Sequence, residues 1–418
     1  MVVKDMYDVE RIRGDFPYLR KHPEVTCLDN AATTLKPDCV IRAVNHYYEE
    51  VSANAHRGDY DAGMSMNEEL DACRESVRGL IHAKDASEVI FTSGATAGLN
   101  MVAFGYGKKF LKAGDVILTT EAEHASGILP WMRVAADTGA EIRFIPLNWD
   151  GSFSLPNMEE MLCEQVKIVA VAQVTNVLGN TLPMKEICKL AHRWGAVVVA
   201  DGSQSVPHMA VDVQALDVDF LAFSGHKMCG PTGIGVLYGK AKLLSAMDPL
   251  LYGGGSNAGY LSNGDIFLKK APEKFESGTL PLAQIYGLHA AVEYLQSIGM
   301  EQIRAQEQQI RGYMLSHLKQ MDHVIVYNPN ADSGILLFNL RQIHGQDTAK
   351  VLNCHNIAVR AGEHCSKLLE PRLGTNTTVR VSPYLYTTKQ EADRFLQVCE
   401  MATKSYCLEV LFRNSSKC

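Results

Sequence analysis

An apolar run at residues 220–223 ends in Ser-Gly-His-Lys, residues 224–227, and leads into the glycine-rich stretch Gly-Pro-Thr-Gly at residues 230–233. Upstream, a second apolar run at residues 196–200 ends at Asp201. A lysine just past one strand and an aspartate just past another are the groups that pyridoxal phosphate (PLP) chemistry needs. The lysine amine forms a Schiff base with the aldehyde, and the aspartate keeps the pyridine nitrogen protonated. The two strand ends therefore predict an α/β sheet that carries a PLP site.

The chain around these strand ends alternates short β-branched runs with helical periods. A helical stripe runs through residues 68–83, for example. Such alternation predicts a largely parallel sheet covered on both faces. The predicted strands are residues 89–91, 116–119, 142–145, 168–172, 197–200 and 220–223.

The chain after residue 252 has a different pattern. Residues 253–281 are glycine-rich and weakly patterned, which predicts a long functional loop. Helical periods then cover residues 282–298 and 302–321, and a compact α+β domain is predicted beyond them. Its predicted elements are strands at 334–340, 357–360 and 379–382 and helices at 347–354 and 389–402.

We therefore predict two domains with separate cores, since 418 residues are many for one domain. The predicted parts are an N-terminal segment 1–25 packing with the small domain, a large PLP-binding domain 26–281, a small domain 282–407, and a tail 408–418 without assignment.

Composition excludes several classes of protein. A formal net charge of −7 and the lack of a long basic run argue against a nucleic-acid partner. We also see no membrane-length apolar stretch, and the start of the chain does not resemble a secretory signal. Eleven cysteines without a Cys-x-x-Cys pair indicate reduced thiols, no metal site and a cytoplasmic location.

A candidate phosphate-binding turn lies at residues 91–100, where small residues follow a strand and open a helix. Backbone N–H groups at such a helix start close readily on a phosphate. Alone, this pattern is typical of an ordinary strand–helix turn, and a lone aspartate after a strand is usually a helix cap. The combination with Asp201 and Lys227 is more specific, because ligands gather at the carboxyl ends of strands in open α/β sheets.

Several longer motifs occur in the chain, and their residue runs are 28–32 (LDNAA), 55–58 (AHRG), 123–124 (EH), 175–179 (TNVLG), 201–205 (DGSQS), 224–227 (SGHK), 230–235 (GPTGIG), 275–279 (FESGT) and 359–365 (VRAGEHC). With them the chain resembles the class V aminotransferase family over roughly residues 10–405. Within that family it is most similar to the group II (SUF-type) cysteine desulfurases and selenocysteine lyases. The resemblance implies the type I fold of PLP-dependent transferases, which has a mostly parallel seven-stranded sheet and a smaller α+β C-terminal domain. It also implies a homodimer.

The resemblance implies a role for each matched position. Lys227 is the Schiff-base lysine and moves the proton at the substrate α-carbon, Asp201 pairs with the pyridinium nitrogen, and His124 stacks on the ring. Arg380 clamps the substrate carboxylate, as suits a planar bidentate donor. The other implied cofactor and substrate residues are Ala95, Thr96, Ser224, His226, Gln204, Asn176, Arg360, Ala32 and, from the partner subunit, Thr279.

Cys365 decides which reaction is expected. An arbitrary cysteine is usually a small buried hydrophobe, but this one has Arg360, His364 and Lys367 as neighbours in sequence. Positive neighbours favour the nucleophilic thiolate. With the resemblance, this predicts that Cys365 takes the sulfur of L-cysteine as a persulfide and passes it to an acceptor protein, for iron–sulfur cluster or related synthesis.

Three departures from the family pattern keep alternatives open. Glu363 stands where a histidine is common, Ala125-Ser126-Gly127 replaces His-Ala-Asn after His124, and Ala97 replaces a glutamate. An acid beside Cys365 would oppose thiolate formation unless it points away. A PLP lyase acting on selenocysteine, cystine or another sulfur-containing amino acid is the second hypothesis. A non-catalytic scaffold that retains the fold is the third.

Overall fold

The computed structural model describes residues 7–55 and 58–413 of the chain. His56 and Arg57, which belong to one of the quoted motifs, lie outside the described residues. So do residues 1–6 of the predicted N-terminal segment and residues 414–418 of the predicted tail. Within the described ranges, no helix is both long and apolar enough to cross a membrane.

The larger core is built on a seven-stranded sheet, which confirms the predicted fold class. Its strands lie side by side in the order Val89–Thr92, Gly235–Gly239, Phe220–Ser224, Val197–Asp201, Val166–Ala172, Val116–Thr119 and Glu141–Phe144. Only Gly235–Gly239 runs antiparallel to its neighbours. Successive side chains of a central strand enter opposite apolar clusters, with Val198 and Ala200 on one face and Val199 on the other. Burial on both faces explains why these strands are continuous apolar runs in the sequence.

Helices pack on both faces of this sheet. The helices that precede, alternate with or directly follow its strands are Val9–Gly14, Pro17–Lys21, Asp38–His46, Asp61–Leu80, Ala95–Val102, Lys108–Phe110, Ala125–Thr138, Leu155–Met161, Met184–Arg193, Val213–Leu216 and Ala241–Ala246. A later helix, Leu282–Ile298, packs against Asp38–His46 and Asp61–Leu80 and joins the same apolar cluster. The predicted boundary at residue 281 therefore falls within a group of helices that share one core, and the division of the chain into domains stays a prediction.

The smaller core has an antiparallel four-stranded sheet, as expected of an α+β domain. Its strands lie in the order Val324–Val326, Leu336–Leu340, Thr378–Val381 and Arg360–Gly362. The helices Met300–Leu318, Gly345–Cys354, Glu370–Leu373, Lys389–Met401 and Lys404–Arg413 accompany it. The start of the chain also reaches this part of the molecule. Arg13 forms a 2.8 Å ion pair with the buried Glu391, and Thr26–Cys27 pairs in parallel with Ile357–Ala358.

Four sequence expectations need correction. The strand Gly235–Gly239 was not predicted. Only three residues with side chains lie between its two glycines, and this run is too short to show a strand pattern. The predicted loop 253–281 contains an antiparallel hairpin, Asn257–Tyr260 with Ile266–Leu268, whose residues are too exposed to show a core-facing alternation. The predicted strand 357–360 is two short segments that pair with different partners. The tail, left without assignment, continues as helix to Arg413.

A buried ion pair joins the glycine-rich segment to the edge of the large sheet. Both oxygens of Glu276 accept from Arg74, at 2.8 and 2.9 Å, and Glu276 also accepts from the Phe91 N–H at 2.7 Å. Arg74 donates to the Val89 carbonyl and lies 4.5 Å from the Phe91 ring centroid. The pair therefore satisfies backbone groups of the edge strand that leads into the candidate phosphate-binding turn.

Candidate active site

The carboxyl ends of the parallel strands open into a cavity of about 290 Å³. Every residue of the predicted site except Thr279 lines it, so segments that are far apart in sequence meet at one place. Thr279 is exposed and does not line the cavity of its own chain. Sequence reasoning missed Ser126, Ser203 and His364, which also line the cavity.

An anion cradle lies at one end of the cavity, where the helix Ala95–Val102 begins. The Ala95 N–H donates to Ser224 Oγ at 2.8 Å, and Thr96 Oγ1 lies 2.8 Å from Ser126 Oγ. The cradle needs glycine at two positions, because a Cβ on Gly235 would lie 2.5 Å from Gly94 Cα, and Gly94 itself has a φ of +150°. Hydroxyls and N–H groups at a helix N-terminus are suited to a phosphate.

Lys227 and Asp201 are contributed by adjacent strands. Asp201 ends Val197–Asp201 and is buried, and one of its oxygens accepts from the Ser203 N–H at 2.9 Å. Lys227 lies in the short turn Gly225–Lys227 that follows Phe220–Ser224. Burial lowers the pKa of its amine to about 8, and the negative charge of Asp201 opposes part of that shift. An amine with this pKa is available in its neutral, nucleophilic form near physiological pH.

His124 presents a neutral imidazole to the cavity. It is the N-cap of the helix Ala125–Thr138, and its Nδ1 accepts from the Ser126 N–H at 3.1 Å. Burial, together with the positive charge of Lys227, lowers the pKa of His124. The accepted hydrogen bond places the ring proton on Nε2, and a neutral ring of this kind can stack on an aromatic cofactor.

Two arginines, Arg360 and Arg380, line the cavity, and both lie close to the carboxylate of Asp29. Arg380 is buried and donates to the Asn176 carbonyl at 2.9 Å, and burial lowers its pKa to about 10, which leaves it charged. Asp29 lies 3.1 Å from Arg360 and 3.5 Å from Arg380. Sequence reasoning did not single out Asp29 as a site residue, although it belongs to the quoted motif 28–32.

Cys365 is exposed and lines the cavity from the loop after the strand Arg360–Gly362. The expected cationic surroundings need correction. Burial, with the nearby charge of Arg380, lowers the pKa of His364 to about 3, so this histidine is neutral. Arg360 is already paired with Asp29. Glu363 is exposed and lines a small neighbouring groove instead of the cavity.

The donor set fits pyridoxal phosphate. The cradle matches the phosphate, Asp201 offers a carboxylate for the ring nitrogen, and Lys227 offers an amine for the aldehyde. Three buried atoms of residues that line the cavity, Gln204 Oε1, His364 Nδ1 and Arg380 Nε, have no hydrogen-bond partner among the described residues. Unsatisfied polar atoms that line a cavity are usual where a ligand completes the hydrogen bonding.

Comparison with known proteins is consistent with this geometry. The model of the family "Aminotransferase class-V" matches residues 26–395. A probable cysteine desulfurase of Halalkalibacterium halodurans is 44% identical over 379 residues, which cover 91% of this chain and 93% of that protein. A cysteine desulfurase of Haloferax volcanii is 37% identical over 426 residues, with 97% and 100% covered. The crystal structure of the cysteine desulfurase CsdA of Escherichia coli has a TM-score of 0.90 at 34% identity, with 97% and 100% covered.

Proposed function

The chain belongs to the class-V aminotransferase family, and on that premise we propose that it is a PLP-dependent cysteine desulfurase. In this proposal it converts L-cysteine to L-alanine and keeps the sulfur on Cys365 as a persulfide. One observation supports it above the others: an exposed cysteine lines the same cavity as Lys227, Asp201 and a buried arginine. A nucleophile, a proton carrier and a carboxylate clamp thus surround one space.

PLP, when bound, supplies an electron sink for charge that develops at the substrate α-carbon. Ser224, Thr96, His226 and the Ala95 N–H would hold its phosphate. Asp201 would keep a proton on the ring nitrogen, and His124 would cover one face of the ring.

The chain's own groups perform the remaining work. Arg380 binds the substrate carboxylate and so aims the substrate α-proton toward Lys227, whose neutral amine takes it. The Cys365 thiolate then attacks the substrate sulfur. An S–S bond forms, the Cβ–S bond breaks, and the electron pair of the broken bond goes to the substrate carbon. Protonation of that β-carbon and return of the α-proton from Lys227 to the α-carbon complete alanine, so no outside oxidant is required.

Mass spectrometry after addition of L-cysteine tests the proposal. We expect the peptide that contains Cys365 to gain the mass of one sulfur atom, and Cys365→Ala to lose both this gain and most alanine formation. Cys163→Ala is the matched control, because Cys163 is partly buried away from the cavity. Equal alanine formation by wild type and Cys365→Ala would contradict the persulfide mechanism. It would favour the second hypothesis, a PLP lyase on selenocysteine, cystine or another sulfur-containing amino acid.

We further propose that the protein acts as a homodimer in which Thr279 reaches the phosphate of the partner's PLP. Supporting this, the segment before Thr279 exposes large apolar side chains, with Leu251, Tyr260 and Phe267 at 61%, 75% and 53%. Exposed apolar groups at this density favour a protein interface. Light scattering of the wild type and of Phe267→Asp tests it. A wild-type monomer would contradict the proposal, and the variant is expected to lose both dimer and PLP affinity.

Two parts of the proposal concern the protein's surroundings. An acceptor protein would take the persulfide from Cys365, whose exposure leaves it open to a partner. Cytoplasmic location stays a prediction, and its support is that the structure shows no disulfide bond within the described ranges.

A further inference from the structure

The backbone at Cys365 is held in a conformation that non-glycine residues avoid. His364 and Cys365 have consecutive φ values of +52° and +60°. Two such residues in a row are unfavourable and persist only where the surroundings fix them. The loop therefore depends on groups that hold it from outside.

Asn176 contacts this loop on both sides of Cys365. Its Nδ2 donates to the His364 carbonyl at 2.8 Å, and its Oδ1 accepts from the Ser366 hydroxyl at 2.9 Å. Because a carbonyl only accepts and Oδ1 cannot donate, this pair of contacts fixes the orientation of the amide. Ser366 is itself buried, so the Oδ1 that it satisfies has no easy replacement from water.

Further contacts hold the same loop. The Ala125 N–H donates to the Cys365 carbonyl at 2.8 Å, and His364 Nε2 lies 3.1 Å from the Thr378 carbonyl. The carboxylate clamp is linked as well, since Arg380 donates to the Asn176 carbonyl. Asn176 therefore links the two parts of the site, because its backbone carbonyl accepts from the substrate-binding arginine and its side-chain amide contacts the nucleophile loop.

We propose that the Asn176–Ser366 hydrogen bond is a brace that positions the Cys365 thiol for attack on the substrate sulfur. Ser366 is a positioning residue, and the resemblance assigned it no role. Both polar atoms of the Asn176 amide form hydrogen bonds with the loop, so the main role of this side chain is to hold the nucleophile in place. Only the expected effect on persulfide formation rests on the proposed function. The effect of the brace on the loop itself does not depend on that function.

The variant Ser366→Ala tests the brace by two measurements, both on the PLP-loaded protein in the oligomeric state in which it purifies. Hydrogen exchange followed by mass spectrometry should show faster deuterium uptake in peptides covering residues 360–370. Single-turnover measurements should show persulfide formation slowed between about 2- and 13-fold, the loss that corresponds to one hydrogen bond. The KM for L-cysteine should stay within about twofold, because Arg380 is untouched.

Ser316→Ala is the matched control, since its hydroxyl donates to the Tyr313 carbonyl at an exposed position of the helix Met300–Leu318, and neither residue lines the cavity. It should match wild type in both readouts. Unchanged exchange in Ser366→Ala would overturn the brace, and so would faster exchange with an unchanged single-turnover rate. If wild type forms no persulfide, the proposed function fails, and the exchange data alone decide whether the loop is braced.

Discussion

Glu276→Gln is expected to destabilise the protein strongly, because it removes the charge that compensates the buried Arg74. The side chains of Arg74 and Glu276 are only 7% and 2% exposed. Removing one partner of a buried ion pair costs about 3–5 kcal/mol, because the other charge is left uncompensated. An entropy of unfolding of about 2.1 cal/mol/K per residue gives about 0.9 kcal/mol/K for 418 residues. The melting temperature should therefore fall by about 3–6 °C.

Thermal melts of the PLP-loaded and PLP-free protein measure this loss. Glu75→Gln is a matched control, since Glu75 forms an exposed pair with Arg78, with side chains 57% and 33% exposed. An exposed pair contributes about 0–1 kcal/mol, so the control should melt within about 1 °C of wild type. PLP affinity should also fall in Glu276→Gln, because the pair supports the strand that enters the phosphate cradle. Equal melting temperatures for the two variants would refute the argument.

Three other predictions concern individual site residues. The rate at which Lys227 attacks the cofactor aldehyde should rise with pH and level off above about pH 8, since only the neutral amine reacts. Stopped-flow absorbance of PLP reconstitution measures this rate, and a rate that still rises at pH 10 would contradict the prediction. The protein should lose stability as pH falls below about 6.5, the ordinary histidine value, because the unfolded chain takes up a proton at His364 that the folded chain refuses until about pH 3. Denaturant midpoints across this range should show the loss, and His364→Gln should flatten it by up to about 1.4 kcal/mol per pH unit. Arg380→Lys should raise the KM for L-cysteine by about 10- to 100-fold, because charge-assisted bidentate hydrogen bonds are lost; steady-state kinetics measure it, and an unchanged KM would remove Arg380 as the clamp.

The sequence predicted the central sheet well because local pattern and burial agree there. Strands such as Val197–Asp201 are covered on both faces, so each is a continuous apolar run, and its polar end marks the site. The hairpin Asn257–Tyr260 with Ile266–Leu268 was not predicted, since neither strand is buried against a core of the described residues.

The sequence also indicated which residues meet in the cavity, but it did not indicate how they pair. The hydrogen bond between Asn176 and Ser366 joins segments that are 190 residues apart, and no local pattern predicts such a contact. The predicted positive charge of His364 was wrong for the same reason. Its neighbours in sequence suggested a cation, whereas burial against Arg380 makes it neutral.

The parallel pairing of Thr26–Cys27 with Ile357–Ala358 has a consequence for synthesis of the protein. The first strand leaves the ribosome long before its partner exists, and Leu28, which follows it, belongs to the smaller apolar cluster. The seven-stranded sheet is complete by residue 239, so its strands can assemble while translation continues. The strand Thr26–Cys27 can pair only after the carboxyl-terminal third of the chain has been synthesised. The smaller core, which contains Leu28, therefore forms last.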